Sequence, residues 1–293
     1  MPSSHIPAPA ALATIVIATD FSFASDAAVL WALGLARRNA AHVWIVHVVS
    51  DTFFSADTQQ RALDDAWREG HRRMTEHFIA GHFDGVQAKL LVEHGGVYEV
   101  LDRIMHQHHA DLLVVGTRGR SRIGKLLLGS SAESIFRQAT YPVLTVGPRS
   151  EAEIPAEGPQ KVLFCTGFST HSIAAGKLAL RIAERQDAQL VVLHVASETV
   201  SDKAEYTRDA KARIEAVIPH DVNLSNPPQV MVEFGGASER ILAVAGQIQP
   251  DLIVLGIRQP ESFARRLRWA TAYDVVSNAP CPVLTVRSPD QSD

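Results

Sequence analysis

A glycine-rich, basic segment contains the residue types that hold phosphate groups in proteins. The segment DLLVVGTRGRSRIGKLLLGSSAES covers residues 111–134 and connects an apolar run to a helix-forming run. Gly119, Gly124 and Lys125 match the P-loop spacing G-x-x-x-x-G-K, but Leu126 stands where a P-loop carries the Ser or Thr that ligates magnesium. The pattern therefore disfavours a P-loop and leaves open another way of holding phosphates.

A glycine–serine pair further along the same segment could hold phosphates at the start of a helix. Ser130-Ser131-Ala132-Glu133 resembles a capping box with Ser130 as the N-cap, so we predict a helix that begins at Ser131. Free N–H groups at a helix start attract anions, and glycine lets the backbone approach them closely. Positive charge along the loop comes from Arg118, Arg120, Arg122 and Lys125. The alternative is that the glycines only turn the chain. Placement between a strand and a capped helix favours a polyphosphate site.

The elements that would position this loop occur twice along the chain. The clearest matches are residues 15–25 with 162–172, 42–50 with 189–197, and 110–118 with 250–258. A linker rich in Pro, Gly and charged residues separates the copies. We therefore predict two domains, at residues 11–149 and 160–288.

Each copy alternates short apolar runs with longer amphipathic runs. In the first copy, these predict strands near 14–19, 42–49, 88–93, 111–115 and 143–147, and helices near 24–39, 58–80, 97–108 and 131–139. Strands that are apolar on both faces are typical of buried parallel sheets, and alternation with helices gives a doubly wound α/β fold. Ligands of such folds bind beyond the strand ends where the strand order reverses. Asp20 and Gly116, which end the first and fourth predicted strands, are expected to face one crevice.

Composition narrows the class of protein. The 293 residues carry a net charge of −4, so no overall basic field attracts nucleic acid. The longest apolar runs are too short to span a membrane, and the N-terminus does not read as a signal peptide. The presence of only two cysteines argues against a disulfide scaffold, and we predict a cytoplasmic location.

These motifs, taken in order, resemble the universal stress protein family in its tandem form. The resemblance runs from about residue 12 to 287 and includes IVIATDFSFASDAAVLWALGLARR, HVV, G-x-x-G-(nine residues)-G-S and YPVLTV. It implies two Rossmann-like (adenine nucleotide alpha hydrolase-like) domains, each with a five-stranded parallel sheet flanked by helices. It also implies ATP as the ligand, with Mg²⁺ or Mn²⁺ compatible with its phosphates.

Residue by residue, the resemblance assigns the parts of a nucleotide site in the first copy. Asp20 would contact the adenosine and Val48 would border the adenine, and Thr19 is counted as a further nucleotide-binding residue. The ribose and phosphates would be held by Gly116, Gly119, Gly129, Ser130 and Ser131, and Arg118 is counted among the binding residues for its positive charge. Asp20 is the only nearby carboxylate that can be placed, and it should face the adenosine. We therefore predict no catalytic residue and no dedicated metal site, and any turnover should be slow.

The second copy departs from this pattern. The replacements are Gly167 for Asp20, Gln259 for Gly119, and Ala270-Thr271, one position late, for Gly129-Ser130. Pro260 also removes a backbone N–H from the loop. The second copy is therefore predicted to have a degenerate site that does not bind ATP in the family's manner.

The last strands of the two copies suggest a use for the second one. Segments 142–146 and 282–286 are predicted sheet edges, and unpaired edges invite association. We expect them to pair inside the chain as a pseudo-dimer, and a further homodimer stays open. Three functions remain: an ATP-binding stress-response regulator, a slow ATPase or autophosphorylating enzyme that uses Ser130 or Ser131, and a scaffold without nucleotide.

Overall fold

The protein alternates strands and helices through both copies. The computed structural model describes residues 12–50, 59–78, 83, 85–117, 128–147, 158–218, 222–257 and 266–287. The first copy contains β1 (Thr14–Ala18), α1 (Phe23–Asn39), β2 (His42–Val49), α2 (Gln59–Phe78), β3 (Gln87–His94), α3 (Val97–Gln107), β4 (Leu112–Gly116), α4 (Ser130–Gln138) and β5 (Val143–Val146). The second contains β6 (Lys161–Thr166), α5 (Thr170–Gln186), β7 (Gln189–Ala196), α6 (Lys203–Val217), β8 (Gln229–Phe234), α7 (Ala237–Ile248), β9 (Leu252–Ile257), α8 (Arg266–Asn278) and β10 (Val283–Arg287).

All described strands belong to one sheet of ten strands. Their order is β3-β2-β1-β4-β5-β10-β9-β6-β7-β8, and neighbouring strands are parallel except for β5 and β10. In each half, the chain leaves the first strand toward one side and returns to place its fourth strand on the other. The order therefore reverses between β1 and β4, which confirms the doubly wound α/β prediction and marks the expected ligand position.

The two copies are joined through their last strands. β5 and β10 pair in antiparallel register, with Leu144 opposite Leu284 and Thr145 opposite Val283. The Thr145 hydroxyl donates to the carbonyl of Val283 at 3.0 Å, and the Thr285 hydroxyl donates to the carbonyl of Val143 at 3.2 Å. The predicted pairing of segments 142–146 and 282–286 is thus confirmed, and it removes both edges from the middle of the sheet.

Apolar side chains cover both faces of the sheet. One cluster continues across both copies on the face covered by α1 and α5, while the opposite face carries a separate cluster for each copy. The cluster of the second copy also takes in Leu128, Ala132 and Phe136, which belong to the α4 region of the first. The copies therefore share a packed interior as well as a strand pair. Among the described helices, none has the length and apolar character needed to cross a membrane.

Candidate functional site

A cavity of about 180 Å³ opens beyond the carboxyl ends of β1 and β4. Seven of the nine predicted site residues line it: Thr19, Asp20, Val48, Gly116, Gly129, Ser130 and Ser131. The other two, Arg118 and Gly119, lie outside the described residues. Strand ends and a helix start thus bring distant parts of the first copy to one place, while the binding role of each residue stays a prediction.

Local hydrogen bonds fix Asp20 at this cavity. The amide of Thr19 donates to the carbonyl of Val46 at 2.8 Å, which extends the β1–β2 pairing by one residue. The Thr19 hydroxyl then accepts the amide of Phe21 at 3.1 Å, and Oδ1 of Asp20 accepts the amide of Ser22 at 3.0 Å. Phe21 takes the left-handed conformation, with φ of 59°. This tight turn sets the direction in which the Asp20 carboxylate leaves the strand.

Gly116 is required by packing against α1. A Cβ atom at this position would lie 2.8 Å from the carbonyl carbon and oxygen of Ala24 and 3.0 Å from the amide nitrogen of Ser25. Those atoms form the first turn of α1, so a side chain at the end of β4 would push that turn away. The sequence suggested that this glycine serves the approach of a phosphate, whereas its nearest constraint is the protein's own backbone.

The start of α4 differs from the predicted capping box. The helix begins at Ser130 rather than Ser131, and Gly129 is the N-cap with φ of −59° and no side-chain cap bond. The amide of Gly129 donates to the carbonyl of Thr117 at 2.8 Å, which holds it in the cap position. Glu133 is the fourth residue of this helix, one beyond the capping-box position, and its carboxylate pairs with Arg137 at 2.7 Å. The prediction of Ser130 as the N-cap was therefore wrong by one residue.

The amides at this helix start point to an anion site. Within the described ranges, the N–H groups of Ser130, Ser131 and Ala132 have no acceptor, whereas the amide of Glu133 bonds to the carbonyl of Gly129 at 2.8 Å. Helix N-termini leave these first donors unpaired and carry the positive end of the macrodipole. Because residues 130–132 line the cavity, a negatively charged group there would meet this positive end.

The cavity wall also contains residues that the sequence reasoning missed. They are Ala18, Ser25, Val46, Val97, Val115, Thr117, Ala132 and Ile135. Val97 and Ile135 add apolar surface beside Val48, which suits the flat face of a base. Thr117 is only 5% exposed, and its hydroxyl has no partner among the described residues. Thr117 could have been predicted as a cavity residue from the sequence, because it directly follows Gly116 at the end of β4.

The turn that carries Asp20 has a counterpart in the second copy. Nδ1 of His47 lies 2.8 Å from the carbonyl oxygen of Thr19, and Nδ1 of His194 lies 2.9 Å from that of Thr166. Each histidine therefore bonds to the backbone at the start of the turn in its own copy. Phe168 also adopts the left-handed conformation, with φ of 57°, and its ring lies 4.3 Å from that of His194. The framework of the turn is thus common to both copies.

The helix start is not common to both copies. Ala139 and Ala279 donate equivalent amide bonds at the ends of α4 and α8, and they stand 140 positions apart. The same offset relates Gly116 to Gly256. Gly129 therefore corresponds to Trp269 and Ser130 to Ala270, so the sequence alignment that placed Ala270-Thr271 one position late was wrong.

This register changes what the second copy presents. α8 begins at Arg266, about one turn before Ala270, so the amides from residue 270 onward lie inside the helix. Interior helical amides are bonded to the preceding turn and cannot receive an anion. Gly167 also leaves the position of Asp20 without a carboxylate. Two of the groups that define the first cavity are thus missing from the second copy.

Other candidate residues have ordinary structural surroundings. The described residues contain no group of three His, Cys, Asp or Glu side chains placed to hold a metal ion. His108 stacks on Trp44 with ring centroids 3.9 Å apart. Cys165 and Cys281 are unpaired and buried, and burial raises the pKa of both thiols. These thiols therefore behave as small apolar side chains.

Comparison with known proteins agrees with this architecture. The family model of the universal stress protein family matches residues 12–147 and 159–287. A curated universal stress protein of Staphylococcus aureus (strain USA300) is 31% identical over 150 residues, which cover 49% of this chain and 87% of that protein.

Two solved structures match the whole tandem arrangement. A universal stress protein from Archaeoglobus fulgidus DSM 4304 has 22% identity and a TM-score of 0.72, with 94% of this chain and 98% of that chain covered. A protein from Pseudomonas aeruginosa UCBPP-PA14, described as a universal stress protein, has 16% identity and a TM-score of 0.61, with 94% of each chain covered. The fold defines a tandem α/β protein, and in its first half a cavity opens at the start of α4. The chain belongs to the universal stress protein family.

Proposed function

We propose that the first domain binds an adenine nucleotide, ATP in particular, and that the protein is a stress-response regulator whose second domain serves as a pseudo-dimer partner. One observation carries the proposal: the open amides of residues 130–132 and the Asp20 carboxylate line the same cavity. The amides suit phosphate, and a carboxylate suits ribose hydroxyls. Val48, with apolar neighbours, suits the adenine.

The size of the cavity is consistent with part of a nucleotide. Pockets for drug-sized ligands enclose about 300–1,000 Å³, whereas this one encloses about 180 Å³. We therefore infer that the base and ribose occupy the enclosed part and that the phosphates reach the start of α4. Mg²⁺ or Mn²⁺, if it takes part, would be held chiefly by the phosphates. Contributions of Arg118 and Gly119 remain part of the proposal.

The direct test places a negative charge where the phosphates would lie. Asp in the first turn of a helix favours the macrodipole, so Ser130→Asp keeps α4 while it opposes an anion. Two unit charges 4 Å apart interact by about 4 kcal/mol at an effective dielectric of about 20. We therefore expect the affinity for ATP in calorimetric titration to fall at least about tenfold. The matched control is Ala270→Asp, at the equivalent position of the second copy, which should leave affinity unchanged.

The same titration, combined with assays for phosphate release and thermal shift, also distinguishes the three candidate functions. One ATP per chain, without phosphate release, supports the regulator. Steady phosphate release, or phosphate transferred to the exposed hydroxyl of Ser130 or Ser131, supports a slow enzyme instead. Absence of heat and of thermal shift with ATP, ADP and AMP supports a scaffold. A stoichiometry of two per chain would refute the degenerate second site.

A further inference from the structure

A buried arginine from the second copy binds the end of α4. Arg287 is the last residue of β10 and is only 7% exposed. Its Nη1 donates to the carbonyls of Arg137, at 3.2 Å, and of Ala139, and its Nη2 donates to the carbonyl of Phe136. These three carbonyls belong to the last turn of α4 and its C-cap. The final strand of one copy thus holds the C-terminus of a helix in the other.

The chemistry of this contact suits a helix C-terminus. The last carbonyls of a helix lack intrahelical donors and carry the negative end of the macrodipole. A guanidinium supplies several N–H donors in one plane together with a positive charge. Burial lowers the pKa of Arg287 to about 10, so the group is still charged at neutral pH. Arg287 therefore supplies both donors and charge to the end of α4.

The contact has no symmetric counterpart. With the offset of 140 positions, Arg287 corresponds to Gly147, which follows β5 and has no side chain. The C-terminus of α8 therefore receives no guanidinium from the equivalent position. Strand pairing between two identical copies would have produced this contact twice. Its presence on one side only links it to α4, the helix whose opposite end lines the cavity.

α4 needs such support to present its amides. The helix has nine residues, and helices shorter than about 12–15 residues are marginal in water without tertiary contacts. Another anchor also comes from the second copy, because Phe136 packs edge-on to Tyr273 of α8, with centroids 6.1 Å apart. A helix this short moves largely as a rigid unit, so release of its C-terminus would also shift its N-terminus.

We propose that Arg287 is a positioning residue for the nucleotide site, holding α4 so that the amides of residues 130–132 face the cavity. The inference rests on the proposed function, since the affinity it controls is that of the first domain. The second domain thereby acquires a specific role, because a residue from the copy with a degenerate site sets the affinity of the other copy.

The test compares three variants of the full chain. Arg287→Met keeps much of the length of the side chain and removes its donors and charge. Arg287→Lys keeps the charge but offers a single point of donation, which cannot reproduce the planar contact with three carbonyls. Leu190→Ala, in the core of β7, lowers the stability of the second copy without touching α4.

Hydrogen exchange of the unliganded protein is the first measurement. Arg287→Met should speed exchange in peptides that cover residues 130–139 by about tenfold, which corresponds to about 1.4 kcal/mol. Peptides that cover α8 should keep their rates. Arg287→Lys should fall between the wild type and Arg287→Met, and Leu190→Ala should leave residues 130–139 unchanged.

Titration with ATP is the second measurement. Arg287→Met should weaken affinity about tenfold, Arg287→Lys should recover part of it, and Leu190→Ala should bind as the wild type does. Unchanged exchange at residues 130–139 in Arg287→Met would overturn the proposal, and so would a loss of affinity no larger than that of Leu190→Ala. If the wild type binds no nucleotide, the proposed function fails. Exchange alone then decides whether Arg287 orders α4.

Discussion

Replacement of Gly116 by alanine should destabilise the protein. The new Cβ would lie 2.8 Å from the carbonyl group of Ala24, well inside the normal contact distance of about 3.4–4.0 Å. Because the opposing atoms are backbone, α1 or β4 must shift. Overpacking of this kind costs about 1–3 kcal/mol, while alanine recovers about 0.4–1 kcal/mol by restricting the unfolded chain. The midpoints of these two ranges, about 2 and about 0.7 kcal/mol, leave an expected net loss of about 1.3 kcal/mol in the free energy of unfolding.

Chemical denaturation by urea, followed by far-ultraviolet circular dichroism, measures this loss. The control is Gly246→Ala in α7, where an added Cβ would meet nothing within 4 Å. Alanine is preferred to glycine within a helix by about 0.5–1 kcal/mol, so the control should become more stable. If glycine-to-alanine substitution lowers the free energy of unfolding at position 116 and raises it at position 246, the loss at position 116 comes from the steric contact. A Gly116→Ala variant as stable as the wild type would refute the packing argument.

Two further changes test other parts of the structure. Thr145→Val removes the hydroxyl that donates to Val283 across the β5–β10 junction, and urea denaturation should show a loss of about 0.5–1.5 kcal/mol; stability equal to the wild type would contradict a role for this bond. Burial lowers the pKa of His194 below its ordinary value of about 6.5, so the unfolded chain binds the proton first as pH falls. The contribution of His194 to stability is therefore full above about pH 7 and declines as the pH falls through about 6.5 toward the lower folded pKa. Thermal melts across that range should be less pH-dependent for His194→Gln, and an unchanged dependence would contradict this reasoning.

The fold could be read from the sequence because its signals are local and repeated. Apolar runs and amphipathic runs alternate in both copies, and helix α3, predicted near 97–108, spans Val97–Gln107. Strand β2 was predicted at 42–49 and spans His42–Val49. The pairing of the last strands followed from the rule that unpaired sheet edges invite association. The element predictions used only the neighbours of a residue in the chain, and the strand pairing also used the comparison of the two copies.

The errors lie where tertiary contacts decide. The cap of α4 is set by the bond from Gly129 to Thr117, a residue twelve positions earlier, which no local capping pattern contains. The constraint on Gly116 comes from the first turn of α1, nearly a hundred residues away in sequence. Arg287 carries no signal at all, since a lone arginine after a final strand is usually solvated. Its role becomes visible only when the two copies are placed side by side.

The second copy shows how the two kinds of information combine. Sequence comparison found the missing carboxylate at Gly167, and the structure adds that α8 starts about one turn early. The first change removes a carboxylate that would accept hydrogen bonds from ribose hydroxyls. The second fills the position of the open amides with continuous helix. That this copy does not bind ATP is still a prediction, and two independent features of the molecule now support it.

The antiparallel junction of β5 and β10 resembles the contact of a two-fold dimer, but it is not subject to the symmetry constraint on such dimers. In a dimer of identical chains, every substitution at the contact appears twice and must be tolerated on both sides. Covalent fusion lifts that requirement, because position 287 can hold a bulky cation while position 147 holds nothing larger than hydrogen. Each half can therefore take a different part in the proposed function, with the first binding the ligand and the second holding α4 in place. The two halves also stay together on dilution, because they belong to one chain.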